Sequence, residues 1–261
     1  MTTKKILSGM ILFLLSFTTI SVAGEPIMIT MSPDMTQVIF DGKWSTGVEW
    51  KRSSENKFIF EDGTRIILRT AHQDNFIYVL VDAVTDLSLD KGADRAMICF
   101  DGNFDKTNIA NFDDYCFVST LGRKTASSLQ GGSPLKFNGN FKNISSHPDL
   151  IGIGEVSDEN DRYEEKPHPS YEFRIPTDIV GRSNIYGFYF EMYEAHSGKM
   201  YTWPQNKIYE ARVVIPSPST WGELISPDNS LPEFELIFLA FTIPFVILII
   251  VTRSGKKTQF V

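Results

Sequence analysis

The chain has 261 residues, a net charge of −7, 13 % aromatic residues and two cysteines. Once its two apolar ends are set aside, that length builds one well-buried domain and not two large ones. The acidic balance, with no run of Lys or Arg between residues 24 and 231, excludes the electrostatic footprint of a nucleic-acid binder.

The first residues read as a targeting segment. Lys4 and Lys5 precede an apolar stretch from Ile6 to Ile20, and Ser21-Val22-Ala23 supplies small residues at a cleavage site. Charge, short apolar core and small residues in that order predict a secretory signal peptide over 1–23, cut after Ala23. An uncleaved anchor is the alternative, and the apolar run is short for a bilayer span.

Beyond Ala23, strand signals recur at short spacing. Val38 to Asp41 leads into a turn at Asp41-Gly42, and two β-rich runs, Thr64 to Thr70 and Phe76 to Val84, flank His72-Gln73-Asp74-Asn75. In the next run, Ile98 and Phe100 share one face, leaving Arg95, Met97 and Cys99 on the other. In the run after it, Tyr115 and Phe117 share a face and Cys116 and Val118 lie opposite. If the two strands pair through the loop between them, both sulfurs fall on one sheet face, so a cross-strand disulfide between Cys99 and Cys116 is expected in an oxidising compartment.

The connecting loop carries Asp101, Asn103, Asp105, Asp113 and Asp114. Alternating oxygen donors of this kind suit a hard cation that wants six to eight oxygens, so calcium is expected there, with a polar hairpin loop as the alternative. The Asp158-Glu159-Asn160-Asp161 cluster reads as a solvated loop, and the four histidines show no zinc-type spacing.

Leu121 to Leu150 is rich in Ser, Gly and Asn and is broken at Gly131-Gly132-Ser133-Pro134. It also holds an N-glycosylation sequon, Asn143-Ile144-Ser145. Further strands are predicted over 150–156, 170–175, 185–195 and 211–215. In the third of these, Phe188, Phe190 and Met192 form a core face, which turns Tyr189, Glu191 and Tyr193 outward. No segment before residue 235 sustains helical periodicity. Many short strands joined by turns predict an all-β fold, a single jelly-roll-like β-sandwich over 24–216. Residues 217–234 read as a Pro/Ser linker. Residues 235–252 form an almost uninterrupted apolar run, read as a transmembrane helix, and 253–261 form a basic cytoplasmic tail with Arg253, Lys256 and Lys257.

Two resemblances follow. Pro232-Glu233-Phe234, an apolar helix and a basic tail resemble the PEF-CTERM sorting signals of archaeal surface proteins, which implies removal of the helix by a membrane transpeptidase. The ordered set Gln37 to Gly42, Trp50, Asp74 to Val79, Asp94 to Asp101, Gly131 to Pro134, Tyr171 to Pro176, Gly187-Phe188 and Thr202-Trp203-Pro204 resembles the family 9 carbohydrate-binding modules and their DOMON-like relatives. That resemblance implies a β-sandwich with calcium in its loops and a ligand site on one sheet face. Sugar binders of the family clamp a ring between two aromatics. Here Asp90 to Ala93 holds no aromatic, and after Trp203 only Tyr209 can substitute. The family's hydrogen-bonding glutamate falls at Met97, and its arginine and asparagine fall at Val118 and Thr120.

The expected ligand set is therefore Arg95, Met97, Tyr189, Glu191, Tyr193 and Trp203, offering stacking and bidentate contacts to a polar ring. The chain carries no G-x-S-x-G elbow, no phosphate loop and no carboxylate pair in a catalytic context, so no enzyme activity is expected. A membrane-anchored extracellular binding module for a glycan or small polar ligand is the leading expectation. Two alternatives stay open: a haem-binding electron-transfer module using Met97, and a calcium-stabilised structural domain of the cell envelope.

Overall fold

The structure, a computed structural model, describes residues 24–204, 207–210 and 214–227. The signal peptide, the transmembrane helix, the sorting signal and the basic tail lie outside the described residues. Among the described residues no helix is long and apolar enough to cross a membrane.

The strands run in chain order as β1 (Ile27–Met28), β2 (Thr30–Met31), β3 (Ser54–Ile59), β4 (Arg65–Gln73), β5 (Phe76–Asp82), β6 (Arg95–Asp101), β7 (Asp114–Thr120) and β8 (Ser127–Gln130). They continue as β9 (Lys142–Ile144), β10 (Ile151–Val156), β11 (Pro169–Pro176), β12 (Ile185–Glu194), β13 (Lys199–Trp203), β14 (Lys207–Glu210) and β15 (Gly222–Ile225), with one short helix, α1 (Thr177–Val180), between β11 and β12. One sheet has the order β1-β15-β12-β6-β7-β8-β9, with β13 also on β12 and β14 on β13. The other has the order β10-β11-β5-β4-β2, with β3 also on β4.

The sheets pack face to face because alternation loads one side of each with apolar residues. Ile66, Leu68, Val79, Val81, Tyr171 and Phe173 face Ile98, Phe100, Phe117, Phe188 and Phe190 in one buried cluster. Phe58 and Phe190 meet across the layers with ring centroids 5.0 Å apart. This is the all-β sandwich expected, and the face assignments of β6, β7 and β12 hold.

Three sequence readings change. The 38–41 run is not a strand: it belongs to the segment 32–53, whose Met35, Val38, Trp44 and Trp50 pack on Ala71, Tyr78 and Leu80 over the outer face of the six-stranded sheet. The stretch read as a linker from residue 217 contributes β15, which pairs in register with β12 and in parallel with β1. Its Ser and Pro residues form the approach to that strand, and Trp221 is buried. The loop of 121–150 contains β8 and β9, which extend the nine-stranded sheet.

Candidate ligand face and metal loop

Strands β6, β12, β13 and β14 bring the expected ligand residues other than Trp203 into rows on the outer face of the nine-stranded sheet. The register pairs Tyr193 with Arg95, Glu191 with Met97 and Tyr189 with Cys99. On the far side of β12, Tyr193 is opposite Met200 and Glu191 opposite Thr202, and these face Tyr209 and Lys207 in turn. One row therefore reads Thr120, Arg95, Tyr193, Met200, Tyr209, and the next Val118, Met97, Glu191, Thr202, Lys207.

The two ends of this face differ. Around Cys99 it is covered. The Tyr189 ring stacks on Trp221, with centroids 6.2 Å apart and planes 21° from parallel, and Trp221 stacks likewise on Phe141. Met97, Cys99, Cys116, Ala110, Leu129 and Ile215 complete a second apolar cluster there. Met97 and Tyr189 are 4 % and 3 % exposed, so neither is available to a ligand. This corrects their assignment: the segment ahead of β15 and the loop carrying Phe141 fold over them. The Met97 sulfur, the one ligand considered for haem, is packed inside this cluster. Trp203 is also withdrawn, because its register opposite Phe190 turns it inward, where it packs on Phe58 and Phe188.

The other end is open. Arg95 lies over the Tyr193 ring, its guanidinium carbon 4.1 Å from the centroid, and both residues are half-buried. Tyr209 is half-buried on the same row, two strand spacings from Tyr193, or about 9.6 Å. On that row the buried Met200 lies between them, and the next row holds Glu191, which at 5 % exposed is as buried as Met97 and Tyr189. Its carboxylate accepts a hydrogen bond from the Tyr189 hydroxyl at 2.8 Å. Burial pushes its pKa up to about 7, against the Tyr189 hydrogen bond and the Arg95 charge. The open end thus offers two half-buried aromatic rings and a guanidinium. Tyr209, which the sequence marked only as a substitute aromatic, belongs to it through the pairing of β13 with β14.

The disulfide is present. Cys99 and Cys116 sit directly opposite on β6 and β7, Cα atoms 4.1 Å apart, and are joined.

At the end of the same hairpin, carboxylate oxygens of Asp101, Asp105 and Asp113 lie within 4.8 Å of one another. The backbone N–H groups of Asp105 and Lys106 donate to Asp101, and that of Asn103 donates to Asp113. Asn103 itself is exposed. Asp114 is fully buried opposite Asp101, with Oδ2 accepting the Asn111 N–H and Oδ1 unpaired. Burial, with added repulsion from Asp101, Asp113 and Asp105, lifts its pKa to about 7. A fully buried carboxylate oxygen with no donor, beside three converging carboxylates, fits a cation. Asp101, Asp105, Asp113 and Asp114 would hold it, and it would supply the charge that those oxygens lack.

No protein-family model and no curated protein matches the chain. Among solved structures, the chain is similar to a family 9 carbohydrate-binding module from Caldicellulosiruptor kristjanssonii in complex with cellotriose, at 16 % identity and a TM-score of 0.48 over 81 % of this chain and 100 % of that one. A module of that family from the same organism, in complex with glucose, matches at 16 % identity and a TM-score of 0.47, over 77 % of this chain and 95 % of that one.

Proposed function

We propose that the chain is a non-catalytic binding module, exported and held at the outer face of a membrane by its C-terminal helix. Its ligand is a glycan or another small polar ring, taken on the open end of the nine-stranded sheet. The observation that carries this reading is the Arg95 guanidinium over the Tyr193 ring, in one row with Tyr209. Stacking on the two tyrosines would supply affinity, and the Arg95 guanidinium would supply hydroxyl recognition. The buried disulfide is in keeping with an oxidising compartment.

The full chain screened on a glycan array should bind at least one sugar, and Tyr193→Ala or Arg95→Ala should then weaken that binding by about 1 kcal/mol or more, the order of a lost aromatic contact. Binding to no glycan, or equal binding by both variants, would sink the sugar reading. Protease added to intact cells should degrade residues 24–216; protection of that region would overturn the topology.

A second reading is favoured by the unpaired Asp114 oxygen: a calcium-stabilised structural domain of the cell envelope. Calcium should then raise the unfolding temperature of the chelator-treated protein. Asp113→Asn should abolish that rise. The two readings are compatible, since the hairpin that carries the acidic loop also carries Arg95.

A further inference from the structure

On the opposite side of the molecule, the outer face of the six-stranded sheet buries a second titratable cluster. Asp82 closes β5, His168 immediately precedes β11, and Asp161 lies in the loop between β10 and β11. Strand pairing and the hydrogen bond between the Ser157 N–H and the His168 carbonyl fold that loop back over the end of β5. Ligand atoms of the three side chains lie within 4.8 Å of one another, and all three side chains are 0–1 % exposed.

The hydrogen bonds fix how the imidazole is used. Nδ1 lies 2.7 Å from the Lys166 carbonyl oxygen, which can only accept, so Nδ1 carries a hydrogen. The same nitrogen is 2.9 Å from Ser157 Oγ. Nε2 is thereby the nitrogen presented to the carboxylates, 2.8 Å from Asp82 Oδ1 and 3.9 Å from Asp161 Oδ1. An imidazole oriented through Nδ1–H on a backbone carbonyl, with Nε2 facing carboxylates, is the arrangement found at metal-ligating histidines.

The oxygens tell the rest. Asp161 Oδ1 is satisfied by the N–H groups of Tyr163 and Glu164. Asp82 Oδ2 and Asp161 Oδ2 are buried with no hydrogen-bond partner. Ser170 Oγ, on the residue directly opposite Asp82 across β5 and β11, is also buried without a partner. A lone ion pair with a protonated His168 satisfies one oxygen of Asp82 and leaves these three unmet. A cation at the centre of the group meets the two carboxylates and the nitrogen together.

We infer that Asp82, Asp161 and His168 form a buried site for a divalent metal of the zinc class, with Ser170 Oγ or a water as the fourth donor. The nitrogen ligand and the small donor count select against calcium, which takes six to eight oxygens, and suit a four-coordinate ion. Such an ion would clamp the loop of 157–168 onto β5. The same loop places Tyr163 against the Trp44 ring, with centroids 6.0 Å apart, and lets its hydroxyl donate to Glu55, so the clamp would hold the whole outer cover of this sheet.

The test is zinc binding by the chelator-stripped full chain, measured by calorimetry at pH 7 in two buffers of different ionisation enthalpy. One equivalent should bind, with protons released to the buffer as zinc displaces the His168 proton. Cobalt should give the ligand-field bands of a nitrogen- and oxygen-bound four-coordinate ion. Asp161→Asn and His168→Gln should each weaken zinc binding about 100-fold or more, whereas Asp113→Asn, in the separate acidic loop, should leave it unchanged. No zinc uptake by the stripped wild-type chain would overturn the site without any variant having to fold. So would uptake that both folded variants retain, folding being checked by circular dichroism.

Discussion

Glu172 shows what one side chain does for a segment with no strand of its own. It lies on the outer face of β11, and its carboxylate accepts the backbone N–H groups of Asp41 and Gly42 and the indole N–H of Trp50. Those bonds pin the segment of 32–53 across the sheet and let Trp44 and Trp50 bury their rings. Replacing Glu172 by Gln should cost about 1–3 kcal/mol, because an amide NH2 would then face donors that need an acceptor. The drop would appear in the denaturation midpoint, with glycan binding unchanged. Gly222 is constrained by packing instead. A Cβ there would lie 2.2 Å from the Trp203 ring, since Trp203 opposite Phe190 and Gly222 opposite Phe188 are neighbours along one edge of β12. Gly222→Ala should therefore destabilise by about 1–3 kcal/mol through overpacking. Tyr189 and Tyr193 separate the two roles of the outer face. Tyr189→Ala removes a ring stacked under Trp221 and should lower stability by about 3 kcal/mol or more. Tyr193→Ala should leave the unfolding midpoint nearly unchanged and act on ligand binding alone.

At the scale of elements, the β6–β7 hairpin is the best-supported unit, with its cross-link between directly paired residues separated by 17 positions. In the chain-entropy account, a loop of that size contributes about 3 kcal/mol. A double Cys99→Ala, Cys116→Ala variant should lose stability of that order. Peptide mapping without reductant should recover the two cysteines of the wild type joined; their recovery as free thiols would refute the bridge. This hairpin and β12 were legible because each repeats large apolar or aromatic residues at every second position, and that period fixes a face before any partner is known. Other elements carried no such signal. In β3, Ser54 to Ile59 is mostly polar and exposed, and only Phe58 faces the core. β15 is four residues long and follows Pro and Ser residues that read as spacer. The site was legible in the same uneven way. Alternation put Arg95, Met97, Tyr189, Glu191 and Tyr193 on one face. What covers half of that face comes from Phe141 and Trp221, residues 44 and more positions from Met97 along the chain, and no local pattern reports them. Trp203 was placed by a motif and not by phase, and its register sends it inward. The Asp82, Asp161, His168 group was invisible for the same reason as Phe141: it is assembled by long-range pairing, and Asp161 reads locally as one more acid in a loop.

For the whole molecule, the buried acids share a sign. Burial raises Asp161 to about 6, Asp86, Asp114 and Glu191 to about 7, and Glu172 to about 8. In the unfolded chain such groups lose their protons near pH 4. Between pH 4 and 8 the folded state thus holds more protons than the unfolded one, and stability must fall as pH rises. His168 adds to the same slope. Burial works against its charge, but the hydrogen bond and charge of Asp82, with the Lys166 carbonyl and Asp161, outweigh this and raise it to about 9. Its contribution is complete below its ordinary value of 6.5 and is lost as pH climbs through 9. Asp62 has the opposite sign. Burial opposes its charge, yet hydrogen bonds from Lys199, Thr64 and Tyr201 lower it to about 2, so its contribution is present above 3.8 and fades towards pH 2. In chelator, the unfolding temperature should accordingly peak near pH 4, between these windows, and decline steadily to pH 9. Metal ions bind only ionised carboxylates and a deprotonated Nε2, so calcium and zinc should each stabilise more at pH 8 than at pH 5 and flatten the decline. Scanning unfolding temperature against pH, with chelator and with each ion, checks both statements. A chelated protein that grows more stable from pH 5 to pH 8 would mean that the buried carboxylates are already ionised and paired.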